Sequence, residues 1–246
     1  MSARFYVPGF GGAGTLAALP DEEARHATRV LRLSSGADIL LFDGAGRQHR
    51  AVIIEADKRG VTVEVGSAVG AATELPFPVT LAQAALKADK MDDVVRDATM
   101  MGVTAIQPLT TARTEVPPAA LDRGGRLERW QRIAVASTKQ CGRAVVPEVL
   151  PAVSLETFLR ASVPPGTTTV MLVEPSAGRG DAQPVWSLPT ALPVTLRLVV
   201  GPEGGWDVDE QSGEAAAPVT LGGRTLRADA AATIALSALL THWKAL

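Results

Sequence analysis

The sequence predicts an α/β protein: a mostly parallel sheet with helices on both faces, preceded by a small β-barrel. Three observations carry this. From residue 79 onward, apolar strand-like runs alternate with helix-like runs, which calls for crossover helices and parallel strands. Before residue 66, short runs with period-two apolar residues are separated by turn residues, as in hairpins. Between the two, Gly66 to Pro78 is rich in Gly, Ala, Thr and Pro, the composition of a linker. The domains are therefore drawn at 1–72 and 73–246.

The elements follow in order. Arg4-Phe-Tyr-Val is a short strand. Asp21 to Leu33 reads as one helix: Asp21 can cap it, Glu22 and Glu23 suit its positive end, and Gly36 follows it. Ile39 to Asp43 is a strand, Asp43 to Gly46 a turn, and Gln48 to Glu55 returns antiparallel. Gly60 to Gly66 alternates apolar and polar residues. Val79 to Ala84 is apolar enough for a buried strand. Lys90 to Met101 is a helix with Met91, Val94, Val95, Ala98 and Met101 on one face and Gly102 ending it. Val103 to Leu109 is the next strand. Leu127 to Cys141 is a helix that aligns Leu127, Trp130, Ala134, Ser137 and Cys141. Ser154 caps a short helix to Ala161, and Thr169 to Glu174 and Val194 to Val200 are strands. Asp207-x-x-Glu210 has capping-box spacing. Val219 to Leu221 is brief and extended, and Ala230 to Trp243 is an Ala/Leu-rich helix.

Composition excludes several classes. The 246 residues are 46% hydrophobic and 20% charged, unlike a disordered chain. Cys141 is the single cysteine, so there is no disulfide framework, and a reducing, cytoplasmic setting is expected. No apolar run reaches the roughly 18 residues of a membrane span, and Met1 to Pro8 lacks the signature of a signal peptide. The net charge of −2 at first disfavours a nucleic-acid partner, but it is unevenly spread. Residues 1–160 hold 19 of the 24 cations, whereas residues 200–246 carry a balance of −3.

Two glycine clusters stand out. Gly9-x-Gly11-x-x-Gly14 matches the dinucleotide-binding pattern, with Asp43 closing the following strand. Pro8, Pro20 and the long distance to Asp43 count against it, so a flexible loop is the better reading and a dinucleotide oxidoreductase the weakest functional one. Gly201-Pro-Glu-Gly-Gly205 instead follows a buried strand directly, where backbone groups can approach a ligand. Leu221 to Ala231 again joins a short strand to a helix, so the two loops suggest one pocket. The three histidines, His26, His49 and His242, lack ligand spacing, and no metal is expected.

The tract Gly201-Pro-Glu-Gly-Gly205 with Leu221-Gly-x-Arg224-x-Leu226-Arg227 resembles the knotted SPOUT methyltransferases. Within them the chain is similar to the family that methylates N3 of a uridine in 16S ribosomal RNA. The likeness runs through Arg4 to Val7, His26 to Leu33, Phe42 to Gly44, Ala85 to Met91 and Thr99 to Val103. It continues through Arg129 to Ala134, Gln140 to Arg143 and Val146 to Glu148. The chain departs from the family pattern at Arg227-Ala-Asp-Ala-Ala231, where Arg-Thr-Glu-Thr-Ala is usual, and at Met100 and Asp97. The acid is one methylene shorter and two hydroxyls are lost.

The resemblance implies a trefoil-knot domain after a PUA-like RNA-binding barrel, S-adenosylmethionine as cofactor, and a homodimer. It implies a pocket from Leu172, Glu174, Gly201, Pro202, Glu203, Gly204, Gly205, Leu221, Gly222, Leu226, Arg227, Ala228, Ala230 and Ala231. Deprotonating a uracil nitrogen needs a base or support for the anion. Asp229 is the candidate base, and Arg227 or Arg143 the candidate anion stabiliser. On the RNA side, Arg25, Arg29 and Arg32 recur on one helical face beside His26, with Val30 and Leu31 left to hold the helix to the barrel. Arg4, Lys87 and Lys90 extend this patch, whose partner is 16S ribosomal RNA or the assembled small subunit. The alternative is a non-catalytic RNA-binding or ribosome-assembly protein on the same fold, which the Ala228 and Ala230 departures favour.

Overall fold

The computed structural model describes residues 2–121, 125–175, 181–211 and 215–246. The chain forms two compact units: Met1–Glu74 with Val135–Val146, and Leu75–Ala134 with Pro147–Leu246.

In the first unit, β1 (Ala3–Tyr6), β2 (Leu16–Ala18), β3 (Asp38–Phe42), β4 (Gln48–Ala56) and β5 (Val61–Ala68) form a sheet of order β1-β3-β4-β5-β2. The pairs β3–β4, β4–β5 and β2–β5 are antiparallel, and β1 lies parallel to β3. Alternation works as the sequence implies. Val61, Val63 and Val65 are buried with Ala51 and Ile53, while Val52 and Ile54 face out. Phe5, Phe10, Ile39 and Leu41 complete this core, each side chain stabilising the fold by roughly 1.5–3 kcal/mol through its burial. The Gly9–Gly14 segment joins β1 to β2 with no helix between them, so the strand–loop–helix cradle of a dinucleotide site is missing.

The first helix differs from expectation. Pro20, not Asp21, occupies the cap position, and no side chain caps this end. α1 (Asp21–Arg25) passes into a π-helical turn over His26–Val30, and Arg32 leaves the helix at φ +53°. The wider π turn redirects the following side chains. Val30 is 65% exposed and Leu31 41%, so neither anchors the helix. Ala24 and Ala27 do, with Leu33 packed beside them.

The segment Val135–Val146 contains the end of α4 (Arg126–Cys141). A helix end leaves carbonyls without partners. Arg4 supplies them: its Nη1 donates to the Thr138 and Lys139 carbonyls at 3.1 and 2.7 Å, and its Nη2 to the Arg143 carbonyl at 2.6 Å. Gln48 Oε1 accepts from Arg4 Nε and Nη2, and Phe42 lies under the guanidinium at 4.8 Å. Burial lowers the Arg4 pKa, but the carbonyls hold the cation in place. Gly142, just past the helix, takes φ +87°, a conformation that a side chain disfavours. Lys139 pairs with Glu23 at 2.6 Å, which ties the end of α4 to α1.

In the second unit, β6 (Val79–Ala84), β7 (Ala105–Thr110), β8 (Glu148–Val149), β10 (Thr167–Leu172), β11 (Gln183–Pro184), β12 (Thr195–Val200) and β13 (Ala217–Thr220) form a sheet. Its order is β11-β13-β10-β12-β6-β7-β8, and β9 (Val153–Ser154) also pairs with β7. Every pair is parallel. Both faces are covered. α5 (Leu155–Arg160) sets Leu155 and Phe158 against Ala82, Met171 and Val199. α7 (Ala228–His242) packs on β12 and on α2 (Lys90–Met100). α3 (Pro118–Leu121) and α6 (Val208–Gln211) are single turns. Ser154 caps α5 as expected, its Oγ accepting from the Thr157 amide at 3.1 Å. The chain leaves β7 for one edge and returns beyond β12, so the connections diverge between β6 and β12. Such a switch point opens a crevice at the C-terminal ends of parallel strands.

Arg4→Met keeps the apolar stem but strips three carbonyls of their donor. It should cost about 2–4 kcal/mol in urea unfolding. A loss below about 0.5 kcal/mol would refute the capping role assigned to Arg4.

Candidate functional site

The crevice holds a cavity of about 250 Å³. Three strand-end loops build it. After β10 come Leu172, Val173, Glu174 and Pro175; β12 and its loop add Val200 to Glu203, Gly205 and Trp206. The β13–α7 connection adds Leu221, Arg224 to Asp229 and Ala231, and Lys90 reaches in from the start of α2. Most of the residues implied by sequence thus meet at one cavity, but Gly204, Gly222 and Ala230 do not line it. Val173, Arg224 and Thr225, inside the segments expected to form the pocket, also line it, and Pro175, Val200 and Trp206 line it although the sequence did not mark them as pocket residues. Trp206 had a readable signal, a large aromatic residue immediately after the glycines.

Close packing explains the glycines. Trp206 donates its indole N–H to the Leu172 carbonyl at 2.8 Å and so joins two of the loops. A Cβ on Gly201 would lie 3.0 Å from the Trp206 ring. Gly205 adopts φ +69°, and a Cβ there would meet Glu174 Oε1 at 2.7 Å. Gly204 turns the other way, toward Arg113 at 3.2 Å. Gln83, fully buried on β6, supports the loop from below by donating to the Gly201 carbonyl at 3.2 Å. The capping box also forms: Glu210 Oε2 accepts from the Asp207 amide at 3.0 Å, and Oε1 accepts from the Ala112 amide at 2.7 Å. Arg113 donates to the Gly204 carbonyl and to Asp207, both at 3.3 Å. The loop after β7 therefore braces the glycine loop.

Charges near the cavity are largely paired. Glu203 accepts from Lys90 Nζ at 2.8 Å. Burial acts to raise the Glu203 pKa. The bond from Lys90, with backbone N–H groups of Glu203 and Lys87, outweighs this and holds it below the ordinary value. Asp229 accepts from Arg227 Nη2 at 2.6 Å and Nε at 3.1 Å. That bond, more than any other cause, lowers the Asp229 pKa. A carboxylate stabilised in this way is a poor acceptor for the proton of a weakly acidic N–H.

The other sequence-derived sites fall elsewhere. Arg143 does not line the cavity. It belongs to the first unit, is only 3% exposed, and donates to Glu74 through Nε at 2.9 Å and Nη2 at 2.6 Å. Arg4 is half-buried at the end of α4, its guanidinium engaged by three carbonyls. Arg25, Arg29 and Arg32 are exposed, without an ion-pair partner among the described residues, though Arg32 lies beyond the helix. His26 is half-buried, edge-on to Phe5 at 6.3 Å. Lys87 pairs with Glu115, and Lys90 faces the cavity. Both lysines belong to the second unit, whereas the arginines belong to the first. Among the described residues no cluster of His, Cys, Asp or Glu could hold a metal, and no helix is long and apolar enough to cross a membrane.

The Glu203 shift has a pH consequence. Its folded pKa lies below the ordinary 4.5, so its contribution to stability is complete above that value and fades as pH falls through the folded pKa. Glu203→Gln should therefore flatten the acid limb of the stability curve, measured by urea unfolding below about pH 4.5. An acid limb identical to wild type would rule this out.

Residues 73–240 match an RNA methyltransferase domain and residues 19–66 an RNA methyltransferase PUA domain. Ribosomal RNA small subunit methyltransferase E of a Synechocystis species is 34% identical, the match covering 89% of this chain and 71% of that protein. The Mycobacterium bovis protein of the same name is 31% identical, over 98% and 93%. The crystal structure of ribosomal RNA small subunit methyltransferase E from Neisseria gonorrhoeae, bound to S-adenosylmethionine, superposes with a TM-score of 0.88. That match has 33% identity over 99% of this chain and 98% of the other. With its SPOUT-type sheet, PUA-like unit and strand-end cavity, the chain belongs to this family of RNA methyltransferases.

Proposed function

We propose that this protein methylates N3 of one uridine in the 16S RNA of the small ribosomal subunit, using S-adenosylmethionine. The observation that carries the reading is the cavity at the switch point, lined by three strand-end loops whose Gly201 and Gly205 leave no room for a Cβ. Such a wall recognises an adenosyl group by N–H and C=O contacts, which the lost hydroxyls at Ala228 and Ala230 do not alter. Leu172 to Glu174, Gly201 to Gly205 and, through its main chain, the loop from Leu221 to Ala231 would hold the cofactor. When bound it supplies a methyl group on a positively charged sulfur, already reactive without further activation by the protein. The chain's own task is then to orient the acceptor base, exclude water and support negative charge on the uracil.

Residues 1–72 form the proposed RNA-binding domain and residues 73–246 the catalytic one. Arg25, His26, Arg29 and Arg32 contact the RNA in this reading, and the protein works as a cytoplasmic homodimer. Arg4 drops out of the RNA surface because its guanidinium is engaged by three carbonyls, while Lys87 and Lys90, whose ion pairs are open to solvent, stay in the reading. Arg143 drops out of the chemistry because Glu74 already holds it.

Two measurements test this. Titration calorimetry on wild type should show micromolar binding of S-adenosylmethionine. Gly205→Ala should weaken it by at least about tenfold, and Gly204→Ala by much less, because only the first crowds Glu174 at the cavity wall. Equal effects of the two substitutions would refute the assigned wall. Mass mapping of ribosomal RNA from a deletion strain should then reveal the loss of a single 3-methyluridine, restored by the wild-type gene. Intact modification in the deletion strain would disprove the assigned reaction.

A further inference from the structure

The cavity is lined by three cations, Lys90, Arg224 and Arg227, and three carboxylates, Glu174, Glu203 and Asp229, and the ion pairs among them leave Arg224 unpaired. Lys90 is held by Glu203, and Arg227 by Asp229. Arg224 lines the same cavity, is exposed, and has no carboxylate or carbonyl partner among the described residues. Both ends of its loop are fixed. Thr220 Oγ1 accepts from the Gly222 amide at 3.3 Å at one end, and the bidentate Arg227–Asp229 pair closes the other. Arg224 thus stands mid-span, a guanidinium directed by a braced loop and not neutralised by the protein. Such a group is available to an anion that enters with a ligand.

Three anions are candidates: the cofactor's carboxylate, an RNA phosphate, and the acceptor uracil itself once its nitrogen has lost a proton. The uracil is favoured by what the site otherwise lacks. The reaction needs a uracil anion beside the methyl donor. Asp229 is engaged by Arg227 through two hydrogen bonds, and Arg227 and Arg143 are each already held by a carboxylate. We propose that Arg224 is the catalytic residue that stabilises the acceptor uracil as its N3 anion, and that Arg227 acts as the positioning residue that braces its loop.

The inference rests on the uridine-N3 reading above. In the step, the N3–H bond breaks and the proton passes to solvent water. Its electron pair stays on the uracil, delocalised over N3 and the flanking carbonyl oxygens, one of which accepts from Arg224. The N3 pair then forms the bond to the methyl carbon as the carbon–sulfur bond breaks. The sulfur keeps that bond's pair and becomes a neutral thioether, so anion and sulfonium charges cancel.

A cation beside the uracil favours its ionised form, so its removal moves ionisation to higher pH. The test is single-turnover methyl transfer to small-subunit particles from the deletion strain, from about pH 6 to about pH 10, with 3-methyluridine read by mass spectrometry. Arg224→Gln should bind S-adenosylmethionine within about threefold of wild type and melt at the same temperature. It should slow transfer near neutral pH on the order of 100-fold. Its rate should rise about one pH unit or more later than wild type, so the deficit shrinks in alkali. Arg224→Lys should recover part of the rate. A variant with an unmoved pH profile but a raised, salt-dependent half-saturating concentration of particles would place Arg224 on a phosphate and overturn the proposal. A variant that loses cofactor affinity would place it on the cofactor carboxylate and overturn the proposal equally. Wild type that leaves uridine unmethylated overturns the parent reading and this one with it; active wild type matched by Arg224→Gln overturns the Arg224 assignment alone.

Discussion

The parallel ladder that seats β12 between β10 and β6 is the constraint on which the site depends. Each strand of a parallel sheet delivers its following loop to the same edge. Because β12 is inserted between strands that precede it in sequence, the loops after β10, β12 and β13 emerge side by side and diverge from the β6–β7 side. The buried faces of Leu196, Leu198, Val199 and Val200 hold that register through hydrophobic contact. A one-residue slip would turn Leu198 and Val199 to the wrong faces and carry Gly201 to Gly205 out of line with Leu172. The cavity is therefore a consequence of strand order, and the glycines are what let the loops approach one another once that order is set.

Packing inside the cavity wall is achieved with few side chains, each used twice. Trp206 fills the space beside Gly201 and ties down the Leu172 carbonyl. Glu210 closes a capping box and holds Ala112. Glu203 binds the start of α2 through Lys90 and lies on the cavity wall. Such sharing makes the site stiff but also couples it to its surroundings. A change at Arg113 reaches the glycine loop through Gly204 and Asp207 without touching the cavity.

The legible and illegible parts of this protein divide along a physical line. β6 at Val79–Ala84, α2 from Lys90 and the Ser154 cap of α5 were readable because periodicity, burial and capping are local properties. The glycine-rich loops were readable as neighbours at one cavity because both follow strands of one sheet. The π turn at His26–Val30 was not, since α and π helices share one apolar pattern over so few residues. Nor was the role of Arg4. An arginine at the start of a strand looks like a surface cation until the end of α4, more than 130 residues away in sequence, presents it with three carbonyls. Distinguishing Gly204 from Gly205 also needed coordinates, because only the backbone turn decides which one faces Glu174 and which Arg113.

The same principle governs the charges. A net charge of −2 counts against an RNA partner, and even segment counts treat every cation as equal. In the fold they are not. Arg4, Arg143, Lys87, Lys90 and Arg227 are each committed to a protein acceptor. A buried cation such as Arg143 is costly to detach from its partner, whereas an exposed pair such as Lys87–Glu115 is weak and can exchange its partner for a phosphate. What remains exposed and without an ion pair among the described residues of the first unit includes Arg25, Arg29, Arg32, Arg50, Lys58 and Arg59, a modest set for binding by counter-ion release alone. Affinity for the proposed substrate must then come from the shape of a folded RNA or subunit presented to a small basic surface. In the second unit, the proposed role of the unpaired Arg224 guanidinium matches it to a charge that would exist only after the acceptor base has ionised.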